Sequence, residues 1–235
     1  MENTFYYIQF YLGNDKDVDL IRKWCYTFIH DKVNLGTHKH PHRLLNIKFI
    51  TKPLNFYPFT NLQILDCSHN QLTLLPQLPH TLVELHCYRN RLTQLPPLPH
   101  TLNTLNCSSN RLTLLPHLPN TLQVLDCSSN QLTLLPPLPN TLKILYIYLN
   151  NLPLLPLLPH TLTNLDCFGN SLTQLPPLPH TLYTLNCFSN LLTQLPPLPN
   201  TLTNLDCSYN LLTQLPDIPK GFNTLECSNN RFNYA

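Results

Sequence analysis

A frame of twenty residues repeats from Leu62 almost to the end of the 235-residue chain without one insertion or deletion. Its cleanest copy reads Leu102-Asn-Thr-Leu105-Asn-Cys107-Ser-Ser-Asn110-Arg-Leu112-Thr-Leu-Leu115-Pro116-His-Leu118-Pro119-Asn-Thr121, and the next copy begins at Leu122. A fixed period of this length specifies a solenoid, a stack of units that bury their apolar side only against their neighbours. Residues 62–235 then form one continuous body of about nine coils, the last incomplete.

Within a copy, Leu105 and Cys107 alternate with Thr104, Asn106 and Ser108. Period two means a short strand with one face buried, and stacked copies make a parallel sheet along the concave side of the coil. Asn110 follows as a turn residue, and Asn stands at every equivalent position from Asn70 to Asn230. Its amide is suited to satisfy backbone groups left unpaired where the strand ends, within its own coil and toward the next. The return leg, Leu112-x-x-Leu115-Pro-x-Leu118-Pro, is too short and too rich in proline for a helix. Residues before proline are pushed to extended conformations, so the convex leg is extended or polyproline-like, with Leu112, Leu115 and Leu118 completing the core.

Leu-x-x-Leu-x-Cys-x-x-Asn-x-Leu matches the leucine-rich repeat signature, with Cys at one apolar position. The short frame and the Leu-Pro-x-Leu-Pro leg resemble the bacterial subclass, known from type III-secreted effectors that act inside host cells; similar repeats occur in large DNA viruses. The resemblance covers residues 62–232 and implies a leucine-rich repeat solenoid that binds a protein partner, host-directed or viral. Effectors of this kind that ligate ubiquitin carry a large helical catalytic domain after their repeats. The chain is expected to have none beyond Ala235, so that activity does not carry over.

Eight of the nine cysteines fall at one frame position, from Cys67 to Cys227. In-register neighbours on parallel strands lie about 4.8 Å apart with parallel side chains, a poor fit to a disulfide. Zinc needs four ligands converging on a point, not a line of thiols. The row therefore reads as small buried hydrophobes, and free thiols suit a reducing compartment such as cytoplasm, which for a host-directed effector is that of the host. The N-terminus has no basic region ahead of an apolar run, so no secretory signal is expected. No stretch reaches the roughly 18 apolar residues that cross a bilayer. With 11% charged residues and a formal net charge of +2, nothing points to nucleic acid or a membrane surface.

Residues 1–61 do not follow the frame and are expected to form a small α+β cap over the exposed end of the core. Phe5–Tyr11 reads as a strand, Val18–Lys32 as a helix with an apolar stripe through Trp24 and Cys25, and Leu44–Ile50 as a second strand. His38, His40 and His42 form a histidine-rich loop without an acidic or Cys partner alongside, and no metal is assigned there. At the other end, the last coil is either sealed by the polar tail Asn229–Tyr234 or paired with a second chain as a homodimer, since an open strand edge invites pairing.

The strand positions that alternate with the core face the open surface. One row runs Asp66, His86, Asn106, Asp126, Tyr146, Asp166, Asn186, Asp206 and Glu226. It reads as a solvated strand face or as a groove for basic groups and hydrogen-bond donors. The row beside it runs Ser68, Tyr88, Ser108, Ser128, Tyr148, Phe168, Phe188, Ser208 and Ser228. Tyr148, Phe168 and Phe188 on three successive coils, with Tyr146 and Leu149 adjacent, form either an interface of the kind exposed aromatics make or a cluster that covers itself or lies under the N-terminal segment. This is also the irregular coil, where Ile147 replaces Cys and Pro153 replaces Thr.

The recurrent Asp-Cys pairs, such as Asp126-Cys127, point to opposite faces of a strand and cannot activate one another. His80, His100, His160 and His180 interchange with Asn before each strand, a turn role rather than a catalytic one. Four glycines supply no phosphate-binding loop. The expectation is a non-enzymatic, cofactor-free module that binds a protein through Tyr88, Tyr146, Tyr148, Leu149, Phe168, Phe188, Asp126, Asp166 and Asp206. A second reading is a substrate adaptor of a ubiquitin-ligase-type complex that docks through residues 1–61.

Overall fold

The computed structural model describes residues 44–46 and 62–232. The expected strand at 5–11, the helix at 18–32, the histidine loop at 38–42 and the tail beyond Phe232 lie outside the described residues.

Ten three-residue strands form one parallel sheet in chain order: β1 (Leu44–Asn46), β2 (Ile64–Asp66), β3 (Glu84–His86), β4 (Thr104–Asn106), β5 (Val124–Asp126), β6 (Ile144–Tyr146), β7 (Asn164–Asp166), β8 (Thr184–Asn186), β9 (Asn204–Asp206) and β10 (Thr224–Glu226). No helix occurs among the described residues. Each strand pairs with the next at a register offset of one frame, as in Leu105↔Leu125, so every frame position becomes a row down the stack. The sheet begins earlier than the repeat is legible: Leu44 pairs with Ile64 at that same offset, within the segment read as a cap.

The core is a set of leucine rows closed by the cysteines. Leu102, Leu105, Cys107, Leu112 and Leu122 are completely buried, and their equivalents in the other internal coils are within a few per cent of that. The middle residue of each strand from β2 to β9 points inward and its two flanks remain half-buried. In the last coil, all three residues of β10 are exposed, since among the described residues no further coil packs on them.

Asparagine joins the coils. The Asn130 amide nitrogen lies 3.1 Å from the carbonyls of Cys127 and Ser128 in its own coil and of Cys107 in the preceding one. Its side-chain oxygen accepts the Leu112 N–H at 2.9 Å. Each Asn from Asn90 to Asn230 thus satisfies donors and acceptors of two coils at once, which the end of a short strand would otherwise leave orphaned. Asn does not itself make the sharp bend. The residue before it does, with left-handed φ at Ser109, Ser129, Leu149, Gly169 and their equivalents.

A second join lies at the end of the back leg. Leu122 N–H donates to Pro119 at 3.1 Å, closing a turn over Asn120 and Thr121. The Thr121 hydroxyl lies 2.8 Å from the Leu102 carbonyl and 2.7 Å from the His100 carbonyl. Only the backbone of His100 is used here, so Asn substitutes freely at this position, in agreement with the turn role read from the sequence.

Candidate partner-binding face

Register places Asp126, Tyr146, Asp166, Asn186, Asp206 and Glu226 side by side on the open face of the sheet. The neighbouring row departs from expectation. Ser68, Ser108, Ser128 and Ser208 are buried rather than open. The strand ends before them, and each turns back on the Asx residue two positions earlier. Ser128 donates to Asp126 through its hydroxyl at 2.6 Å and its N–H at 3.1 Å. A serine fits this niche and a ring does not. At Tyr148, Phe168 and Phe188 the side chain is therefore held half out of the body.

These rings form a ladder. Tyr148 and Phe168 stack with centroids 4.9 Å apart and planes 7° from parallel. Phe168 meets Phe188 edge-on at 6.3 Å. Phe188 then meets Tyr209 at 5.1 Å, extending the ladder to a fourth coil through the next frame position. Such pairs contribute about 0.5–1.5 kcal/mol each beyond burial. The rings thus partly cover one another and still present a continuous aromatic edge. Tyr209 escaped the sequence reading because it stands one position out of row. Tyr88 lies apart from this group, edge-on to His69 at 5.0 Å.

Leu149 and Tyr209 add a second observation. Both adopt left-handed backbone, φ 52° and 53°, and both are about half exposed, at 48% and 54%. For a bulky side chain this conformation costs roughly 1–2 kcal/mol. Gly169 and Asn229, at equivalent positions, are residues that the backbone accepts readily. Gly169 has a further role: a Cβ there would lie 2.8 Å from Leu149 Cδ2, so glycine leaves room for the leucine lying across it. The left-handed turn itself recurs in every coil; what distinguishes these two is the large apolar side chain left exposed on it, next to the aromatic ladder.

Within the acidic row, Asp166 sits in a different environment from Asp126. At Asp126 the carboxylate accepts both a hydroxyl and an N–H from Ser128, whereas Phe168 offers Asp166 its N–H alone, at 3.3 Å. Burial raises the Asp166 carboxyl above its ordinary range, the Phe168 N–H and the Asn186 side chain pull it back, and the charges of Asp126 and Asp206 add to the rise. Asp206 accepts the Ser208 N–H at 3.0 Å. On the earlier coils the exposed charges are of the other sign, Arg89, Arg91 and Arg111.

The cysteine row is internal. Cys67 through Cys207 are free and buried, and Cys227 at the open end is half-buried. Burial, then the adjacent Asp charges or neighbouring thiols, pushes them well above the ordinary thiol range, Cys207 up to about 12. A thiol held protonated is a poor nucleophile, so the Asp-Cys pairs do not form reactive dyads. Among the described residues no group of three or more His, Cys, Asp or Glu is placed to hold a metal ion, and no helix is long and apolar enough to cross a membrane.

Leucine-rich repeat models match residues 60–100, as two copies, and residues 121–142. No curated protein matches the sequence. Among solved structures, the chain is similar to YopM from Yersinia enterocolitica WA-314, with 35% identity and a TM-score of 0.62 over 74% of this chain and 43% of that one. It is also similar to YopM from Yersinia pestis, described as a leucine-rich effector protein, at 32% identity and TM-score 0.51 over 73% and 62%. The functional domain of InlJ from Listeria monocytogenes, described as including a cysteine ladder, gives 29% identity and TM-score 0.70 over 82% and 45%. The chain spans less than two thirds of each of these relatives. The register, the leucine core, the asparagine row and these likenesses agree: the chain belongs to the leucine-rich repeat family, with the short repeat found in bacterial effector proteins.

Proposed function

We propose that the chain is a non-enzymatic protein-binding solenoid that holds its partner on the open face of the sheet. The aromatic edge of Tyr148, Phe168, Phe188 and Tyr209 is the anchor, with Leu149 beside it. The observation that carries this reading is the half-exposed edge of the ladder together with its exposed apolar neighbours Leu149 and Tyr209, more apolar surface than the ring-to-ring contacts themselves cover. Tyr146, Asp126, Asp166 and Asp206 line the adjoining face and favour a partner segment with basic and apolar side chains. Aromatic rings beside carboxylates suit arginine in particular, which stacks on the ring and pairs with the acid. Free buried thiols favour a reducing intracellular setting, and the likeness to bacterial effectors favours a host-directed role.

The test is the triple variant Tyr148→Ser, Phe168→Ser and Phe188→Ser. Serine stands at this position in five other described coils and bonds to the Asx residue two positions earlier in four of them. Asp166 and Asn186 offer the same acceptor at positions 168 and 188, whereas Tyr146 offers none at 148, so a circular dichroism spectrum matching the parent's is the check on folding. Crosslinking with mass spectrometry in the native cell should recover a partner with the parent chain and lose it with the variant. Unchanged recovery by a folded variant refutes the assignment.

A further inference from the structure

The back of the solenoid carries a feature the sheet face does not use. Leu114, Leu134 and Leu154 occupy one frame position on three successive legs and are 53%, 59% and 50% exposed, and Leu74 holds the same position two coils earlier at 43%. Leu157, on the same leg as Leu154, is 78% exposed. The same two frame positions hold Gln94, Gln174, Gln194 and Gln214, and Pro97, Pro137, Pro177 and Pro197, in other coils. The core does not require leucine there, since the coils with Gln bury the next residue as well as those with Leu: Leu175 and Leu135 are both 8% exposed. These leucines are an addition to the surface, not part of the fold.

Around them the back is uncharged. From residue 73 to residue 200, no Asp, Glu, Lys or Arg stands on any return leg. A partner recognised by charge finds nothing to pair with. A surface of the same composition does.

We infer that this face is a self-association surface whose occupant is a second copy of the chain, related by a twofold axis running along the leg of Leu134. That operation sets Leu134 against the partner's Leu134 and Leu114 against the partner's Leu154. Leu157 falls on the partner's His117, which occupies the same frame position two coils earlier and is itself exposed. The three central rungs are thus complementary to their own reverse, the requirement of an isologous contact, while Leu74 falls on the partner's Gln194. An extended leg of eight residues spans about 25 Å at roughly 3.1 Å per residue, and the seven legs centred on that of Leu134 span about 29 Å at the strand spacing of about 4.8 Å. That footprint approaches the ~800 Å² per partner of a standard stable interface. The sheet face stays open in such a pair, so two partner-binding faces point away from each other.

Sedimentation velocity over a wide concentration series tests this with the full chain. The parent should show a reversible dimer. Combining Leu134→Gln, Leu154→Gln and Leu157→Pro, each the residue other coils carry at that position, should shift it to monomer, with an unchanged circular dichroism spectrum. A parent that stays monomeric throughout overturns the inference, whether the leucines are covered by residues 1–61 or by another protein. A dimer that survives the triple variant overturns it equally and assigns association elsewhere, such as the open edge of β10. The aromatic-to-serine variant should dimerise like the parent, so this inference and the proposed function fail separately.

Discussion

Replacing Asn130 by Ala removes one rung of the asparagine row in the middle of the stack. Asn130 is 9% exposed, so water replaces little of what is lost. The Leu112 N–H, which donates to its oxygen at 2.9 Å, is left orphaned, at a cost of about 1–3 kcal/mol for a buried donor. The two amide protons, shared among three carbonyls at 3.1 Å, contribute about 1 kcal/mol each. The expected loss is therefore about 3–5 kcal/mol. Asn230→Ala in the last coil is the comparison. Asn230 makes the same bonds, 3.0 Å to Cys207 and 2.9 Å to Cys227, but is half exposed, and water takes over part of the role. Its loss should be about 1–2 kcal/mol. Equilibrium unfolding in urea, followed by far-ultraviolet circular dichroism, measures both. The central variant should also broaden or split the transition, because coupling between neighbouring coils is what makes a solenoid unfold as one unit. A loss below about 1 kcal/mol for Asn130→Ala, or equal losses at the two positions, would refute the idea that these amides join the coils.

Two further predictions concern the candidate face. Gly169→Ala should lower stability by about 1–2 kcal/mol, from left-handed φ and the contact with Leu149; adding Leu149→Ser should recover the steric part, and a double-variant cycle in urea without coupling would contradict the contact. Asp166→Asn should raise the urea midpoint at neutral pH, since Asn106 and Asn186 already accept the same backbone bond. Because the folded Asp166 carboxyl titrates above its ordinary 3.8, its ionisation opposes folding above the folded value. That penalty disappears as pH falls through the folded value toward 3.8, so the gap between variant and parent should close on acidification. A gap that widens on acidification would reverse the sign of the burial argument.

Much of this protein is legible in the chain alone. One period, read from Leu102 to Thr121, determines the parallel sheet, the leucine and cysteine core, the extended legs and the asparagine row. In a solenoid each residue meets its own equivalent in the next coil, so sequence period and spatial neighbourhood coincide. The aromatic cluster at Tyr148, Phe168 and Phe188 follows from the same rule. Three things needed the tertiary structure. The serines at 68, 108, 128 and 208 lie inside because the strand stops short of them, and alternation holds only while a strand continues. Tyr209 joins the ladder from the adjacent frame position, since ring reach depends on side-chain direction as well as on row. Leu114, Leu134, Leu154 and Leu157 are exposed although they are leucines in a leucine-built frame. Composition does not distinguish them from the core leucines beside them. Only the direction each side chain takes on an extended leg decides which leucine closes the core and which is left for another surface.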